Sequence, residues 1–139
     1  MRFRSIILPF LFAFMLIAAS SCNTRWDTTW AINFPESFQG NWVAENGYTV
    51  QITHNRFTIS HTGSHDTISN ESEYRYKFDW IEVEEATDTL VRIVPKNANG
   101  MDLGREDTFT INEDRTLSIE FGGTDPRPFG PFTKQAQTN

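Results

Sequence analysis

Cysteine occurs once in 139 residues, at position 22, which excludes a disulfide framework and any zinc site built from thiolates. Cations are scarce: once Arg2 and Arg4 are set aside in an N-terminal leader, ten Lys and Arg stand against 18 Asp and Glu, a net of about −8. A surface of that sign repels phosphate backbones, so nucleic acid is excluded as a partner. No apolar run reaches the ~20 residues that a membrane-crossing helix needs; Ile6–Ala19 stops at 14. The motifs of the common chemistries are missing as well, with no Gly-x-Ser-x-Gly, no His-Glu-x-x-His and no glycine-rich phosphate loop. Neither enzyme activity nor a cofactor is expected. What is abundant is aromatic: 15 of 19 rings lie beyond the leader, enough core material for one domain of this size and too much for a disordered chain.

Residues 1–21 read as a signal peptide, with Arg2 and Arg4 at the positive end, the apolar run next, and Ala19-Ser20-Ser21 last. Cys22 follows directly, and this arrangement resembles the lipobox of bacterial lipoproteins. The resemblance implies that the Cys22 thiol is acylated and becomes the new N-terminus, anchoring the chain to the membrane; two or three acyl chains would make that attachment durable. Asn23, where an aspartate would resemble an inner-membrane retention signal, points to the outer membrane. Residues 22–37 are expected to form a lipidated tether. Within it Trp26, Trp30 and Phe34 recur every four residues, one stripe of a short helix. That stripe either lies in the membrane interface or closes one end of the following domain as core.

From Phe38 onward the signal is period two with turns at short intervals, so residues 38–139 are expected to be an all-β, antiparallel domain of about eight short strands. Phe38, Gly40 and Trp42 share a face, Asn46-Gly47 supplies a turn, and Val50 and Ile52 pair with Phe57 and Ile59 in a hairpin. A short strand is expected at Thr67–Ser69, then a long one over Glu73–Glu84, with Tyr74, Tyr76, Phe78 and Trp80 on one face. The apolar phase then slips to Ile81 and Val83, which calls for a bulge near Asp79–Ile81. Leu90–Val94 forms another strand, Phe109 and Ile111 pair with Leu117, Ile119 and Phe121, and three prolines and three glycines break Gly122–Pro131 ahead of a closing strand at Phe132–Lys134. With no connecting helices the strands must close into a barrel or stack as a sandwich.

Phe38-Gln39-Gly40-Asn41-Trp42 resembles the Gly-x-Trp signature that opens the first strand of lipocalins and other calycin barrels. The resemblance implies an up-and-down barrel, here shortened and without a C-terminal helix, that binds a small apolar molecule in its lumen. It also implies a cation near the last strand packed over the tryptophan, a place that Arg127 or Lys134 can take. The lumen-facing candidates are Trp42, Phe57, Tyr74, Tyr76, Phe78 and Trp80, which as plain core explain themselves equally well.

His61, His65 and Asp66 are a candidate for a surface metal site, and Glu82, Glu84, Glu85 and Asp88 for calcium. The solvated loop and the hydrated strand edge are the stronger readings, so no metal is expected. The first functional expectation is therefore a membrane-anchored envelope lipoprotein carrying a small apolar ligand in its lumen. The alternative is a solid barrel that contacts an envelope or host protein through its acidic surface or the loops at Thr62–Asp66 and Lys96–Gly104, of the size and anchorage seen in small envelope barrels that inhibit lysozyme.

Overall fold

The computed structural model describes residues 30–136, so the expected signal peptide, Cys22 and Trp26 lie outside the described residues. Nine strands follow in order: β1 (Gly40–Val43), β2 (Tyr48–Ile52), β3 (Phe57–His61), β4 (Thr67–Ser69), β5 (Trp80–Ala86), β6 (Leu90–Lys96), β7 (Asp107–Ile111), β8 (Leu117–Phe121) and β9 (Arg127–Lys134). All pair antiparallel in one sheet, in the order β4-β3-β2-β1-β9-β8-β7-β6-β5, curled into a half-barrel. Each strand pairs with its neighbour in sequence except that β1 meets β9 and β4 does not meet β5. A short π-type helical turn, Glu71–Arg75, sits in the chain between those two unpaired edges.

The hairpins form where the alternation predicts. Val50 and Ile52 lie opposite Ile59 and Phe57, and all four are buried while Thr49 and Gln51 are exposed. The β1–β2 turn uses Gly47 at φ 86°, a backbone conformation that glycine adopts without steric cost, and Ala44 N–H donates to the Tyr48 carbonyl. At the β7–β8 turn Asp114 accepts from both the N–H and the hydroxyl of Thr116, which fixes Phe109 opposite Ile119.

Two expectations need correction. Glu73–Glu84 is not one strand: its first residues form the helical turn, and β5 begins only at Trp80. Ser69 and Ser72 bond each other reciprocally there, the Ser69 N–H to Ser72 Oγ at 2.8 Å and the Ser72 N–H to Ser69 Oγ at 3.4 Å, an exchange that starts a helix rather than a strand. Ile81 and Val83 thus carry the inward phase of β5 from its start, and the bulge lies between Val83 and Glu85. Second, the closing strand begins at Arg127. Pro128 is accommodated because that half of β9 pairs only with β8, and the register shifts at Gly130, whose φ is 109°. Of the two readings of the Trp30–Phe34 stripe, Phe34 takes the core one, and the core begins before Phe38. Ile32 and Phe34 are fully buried, with Phe34 N–H donating to the His54 carbonyl at 2.8 Å, so part of the expected tether is core, and it is not helical.

Candidate functional site

The concave face of the sheet is occupied by side chains. Phe34 meets Phe109 at 5.1 Å between ring centroids, Phe57 meets Phe109 at 5.0 Å and Phe121 at 5.9 Å, and Phe57 meets Tyr74 edge-on at 6.3 Å. Val50, Ile52, Ile59, Val91, Ile93, Leu117, Ile119 and Phe132 fill the spaces between, each almost wholly shielded from solvent. Such tilted and edge-on pairs add about 0.5–1.5 kcal/mol each beyond area burial.

Of the six residues expected to line a lumen, Phe57, Tyr74 and Phe78 are joined by ring contacts, and Tyr76 and Trp80 stand apart from them. Trp42, Phe57 and Tyr74 are core, and Phe78 is half-buried at the rim, 6.4 Å from Tyr74. Tyr76 is 78% exposed under the Arg75 guanidinium. Trp80 points to the outer face, where its indole N–H donates to the Asn97 carbonyl. The reason is the helical turn: it replaces the period-two alternation with a tighter spiral, so Tyr74 and Tyr76 cannot share a face.

At the β1 end, the Trp42 indole donates to the Phe38 carbonyl at 2.8 Å. Lys134 Nζ lies 5.1 Å from the centre of its ring and donates to the Ser37 carbonyl, while a Cβ on Gly40 would stand 3.1 Å from Lys134 Cε. Gly40, Trp42 and the cation thus form one packed unit.

Sequence reading missed a buried ionic cluster between the helical turn, β7 and β9. Glu73, only 3% exposed at its side chain, accepts from Arg105 at 2.6 Å and Arg127 at 2.7 Å through Oε1, and from Lys77 at 3.1 Å through Oε2. Arg105 also grips the fully buried Asp107 with two hydrogen bonds of 2.8 Å, and Gly122 N–H donates to Asp107 Oδ1. Burial alone would push the Glu73 carboxyl up, but the hydrogen bonds from Arg105 and Lys77 and the charges of Arg105 and Arg127 outweigh it and hold the pKa below its usual value. The Tyr74 hydroxyl is buried without a hydrogen-bond partner of good geometry. Burial first, and then the neighbouring Asp107, raise its pKa well above the usual range. One signal for this cluster was present: Asp107 shares the inward phase of Phe109 and Ile111, an acid where an apolar residue belongs.

Two clefts lie outside the core. One, of about 600 Å³, is lined by Trp30, Asn55, Arg56, Thr58, Ser69 and Arg75 among others; the second, of about 340 Å³, lies on the outer face of β1–β3. Neither includes Tyr74, Tyr76, Phe78 or Trp80. Among the described residues no group of three or more His, Cys, Asp or Glu is placed to hold a metal ion, and the His61 ring packs at a tilt against Tyr48, 4.5 Å between centroids. Comparison with protein-family models, with curated proteins and with solved structures found no match to this chain.

Proposed function

We propose that this chain is a lipid-anchored protein of the bacterial envelope that works from its surface, with the half-barrel as a filled scaffold. The observation that carries this reading is the contact web of Phe34, Phe57, Phe109 and Phe121 across the concave face, where a carried apolar molecule would have to sit. The Gly40-Trp42-Lys134 unit supports a calycin-type ancestry for the scaffold, and the lipobox-like Cys22 supports the anchor. For the contact surface, the loop between β6 and β7 stands out. Met101 is 58% and Leu103 46% exposed, apolar side chains held outward on a segment pinned by the Asn97 side chain and the Lys96–Asp102 ion pair.

The test is photo-crosslinking on intact cells. A photoreactive residue at Leu103 is expected to give a discrete adduct with one protein, whereas the same residue at Thr49 on the outer sheet face gives none. Adducts of equal pattern from both positions, or none from either, would contradict a loop-centred contact.

A further inference from the structure

The outer face of β1–β4 is uncharged in an acidic molecule. Val50 and Ile52 on β2 and Phe57 and Ile59 on β3 are buried, so alternation turns the side chains between them outward. They stand in two rows across the sheet. Asn41, Gln51 and Thr58 lie opposite one another in the first, and Thr49, Ser60 and Thr67 in the second. No outward position of these four strands carries a charge, whereas β5–β8 turn Glu82, Glu84, Arg92 and Glu120 outward.

The six side chains of the two rows are also uncommitted. Among the described residues none of their amide or hydroxyl groups bonds another part of the chain, while the Asn112 amide is taken up by the Thr116 and Ser118 hydroxyls. Each amide and each hydroxyl can both donate and accept. The cleft of about 340 Å³ lies on this face, at the lower end of the range of small-ligand sites. Thr58 lines that cleft and the larger one as well, so the face continues toward the half-buried Trp30. Neighbours within a row are separated by the strand spacing of about 4.7–4.9 Å, and the three gaps from β1 to β4 add up to about 14 Å. Pyranose residues in an extended β-linked chain recur at nearly that spacing, and the chain is a flat ribbon bearing hydroxyls and, in some, amides. An α-linked chain coils away from a flat face. An anionic one is repelled by the acidic molecule and meets no cation among these outward positions.

We infer that this face binds an uncharged, extended β-linked glycan lying across the strands, with the Asn41 and Gln51 amides as its central contacts. The inference goes beyond the surface reading above and requires neither a filled interior nor the β6–β7 loop. Because each hydrogen bond contributes little by itself, affinity must accumulate along the rows. The test uses the full chain in lipid nanodiscs, titrated calorimetrically with cellotetraose and chitotetraose and, for comparison, with glucose, maltotetraose and tetramannuronate, empty nanodiscs serving as the blank. At least one of the two uncharged β-linked tetrasaccharides is expected to saturate, and glucose, maltotetraose and tetramannuronate should each bind at least about tenfold more weakly than that ligand. The double variant Asn41→Ala, Gln51→Ala should weaken it by about tenfold or more, the loss of two hydrogen-bonding amides, while Thr108→Ala on the outer face of β7 leaves it unchanged. Both amides are exposed, so the double variant is expected to fold, and an unchanged thermal midpoint would verify it; the comparison of glycans on the wild type needs no variant. No saturation with either β-linked tetrasaccharide, a comparison sugar binding as tightly, the double variant without effect, or Thr108→Ala weakening binding as much would each overturn the proposal.

Discussion

Glu73 shows how one side chain can be costly and indispensable together. Its carboxylate is nearly sealed from water and takes hydrogen bonds from Arg105, Arg127 and Lys77. Removing it leaves the shielded Arg105 with Asp107 as its remaining carboxylate and strips an acceptor from the half-exposed Arg127, and breaking a buried pair of this kind costs about 3–5 kcal/mol. Glu73→Ala is therefore expected to lower stability in chemical denaturation by about that amount at pH 7. Because the folded-state pKa lies below the usual 4.5, the stabilisation is fully present above that pH. As the pH drops through the lower folded-state value it is lost, so the gap between wild type and Glu73→Gln should narrow on acidification and stay constant from pH 6 to 8. Tyr74 makes the opposite case. Its ring is core, touching Phe57, but its hydroxyl lies near Asp107 without a hydrogen bond of good geometry, so Tyr74→Phe is expected to leave stability within about 1 kcal/mol or raise it. Tyr74→Ala should cost about 3–5 kcal/mol. Thermal denaturation of both variants checks the contrast.

Elements with strict alternation were legible in the sequence, and those built from polar exchanges were not. The β2–β3 and β7–β8 hairpins appear where Val50-x-Ile52, Phe57-x-Ile59, Phe109-x-Ile111 and Leu117-x-Ile119 place them, because one face must be buried and a slip of one residue would expose it. The helical turn was hidden because Tyr74, Tyr76, Phe78 and Trp80 alternate with charged residues as a strand would. Its true signal, the Ser69–Ser72 exchange, depends on four residues of local geometry that no periodicity records. The cleft beside Trp30 was illegible for a related reason: Asn70 joins Trp30, Asn55 and Phe57 across 40, 15 and 13 residues of sequence. The edge strand β5 was readable as a hydrated edge, and it is one, with Glu82 and Glu84 exposed and Arg92 near both Glu84 and Glu85. Charges on an unpaired edge oppose strand addition from another molecule. The double variant Glu82→Val, Glu84→Val is expected to shift the protein toward dimers or larger assemblies in size-exclusion chromatography, while wild type stays put at the same concentration.

At the scale of the whole molecule, a sheet that curls on itself but leaves β4 and β5 unpaired needs something at the opening. The helical turn sits in that stretch of chain, with Tyr74 packed into the core and Glu73 tied to Arg105 and to Arg127 of β9. Rings from four separate stretches then meet inside: Phe34 before β1, Phe57 on β3, Phe109 on β7 and Phe121 on β8. Each is placed by a different pairing, so the filled interior is a property of the topology rather than of any one strand. A filled scaffold displays its chemistry outside, in the Met101–Leu103 loop and on the uncharged outer face of β1–β4. The most direct test is native mass spectrometry on residues Asn23–Asn139, before and after exposure to an envelope lipid extract. The described core runs from Ile32 to Phe132 and so lies within that chain. The account predicts the bare chain mass in both spectra. A reproducible added mass of a few hundred daltons, lost on competition with a second apolar molecule, would mean that the interior opens to a ligand and would contradict it.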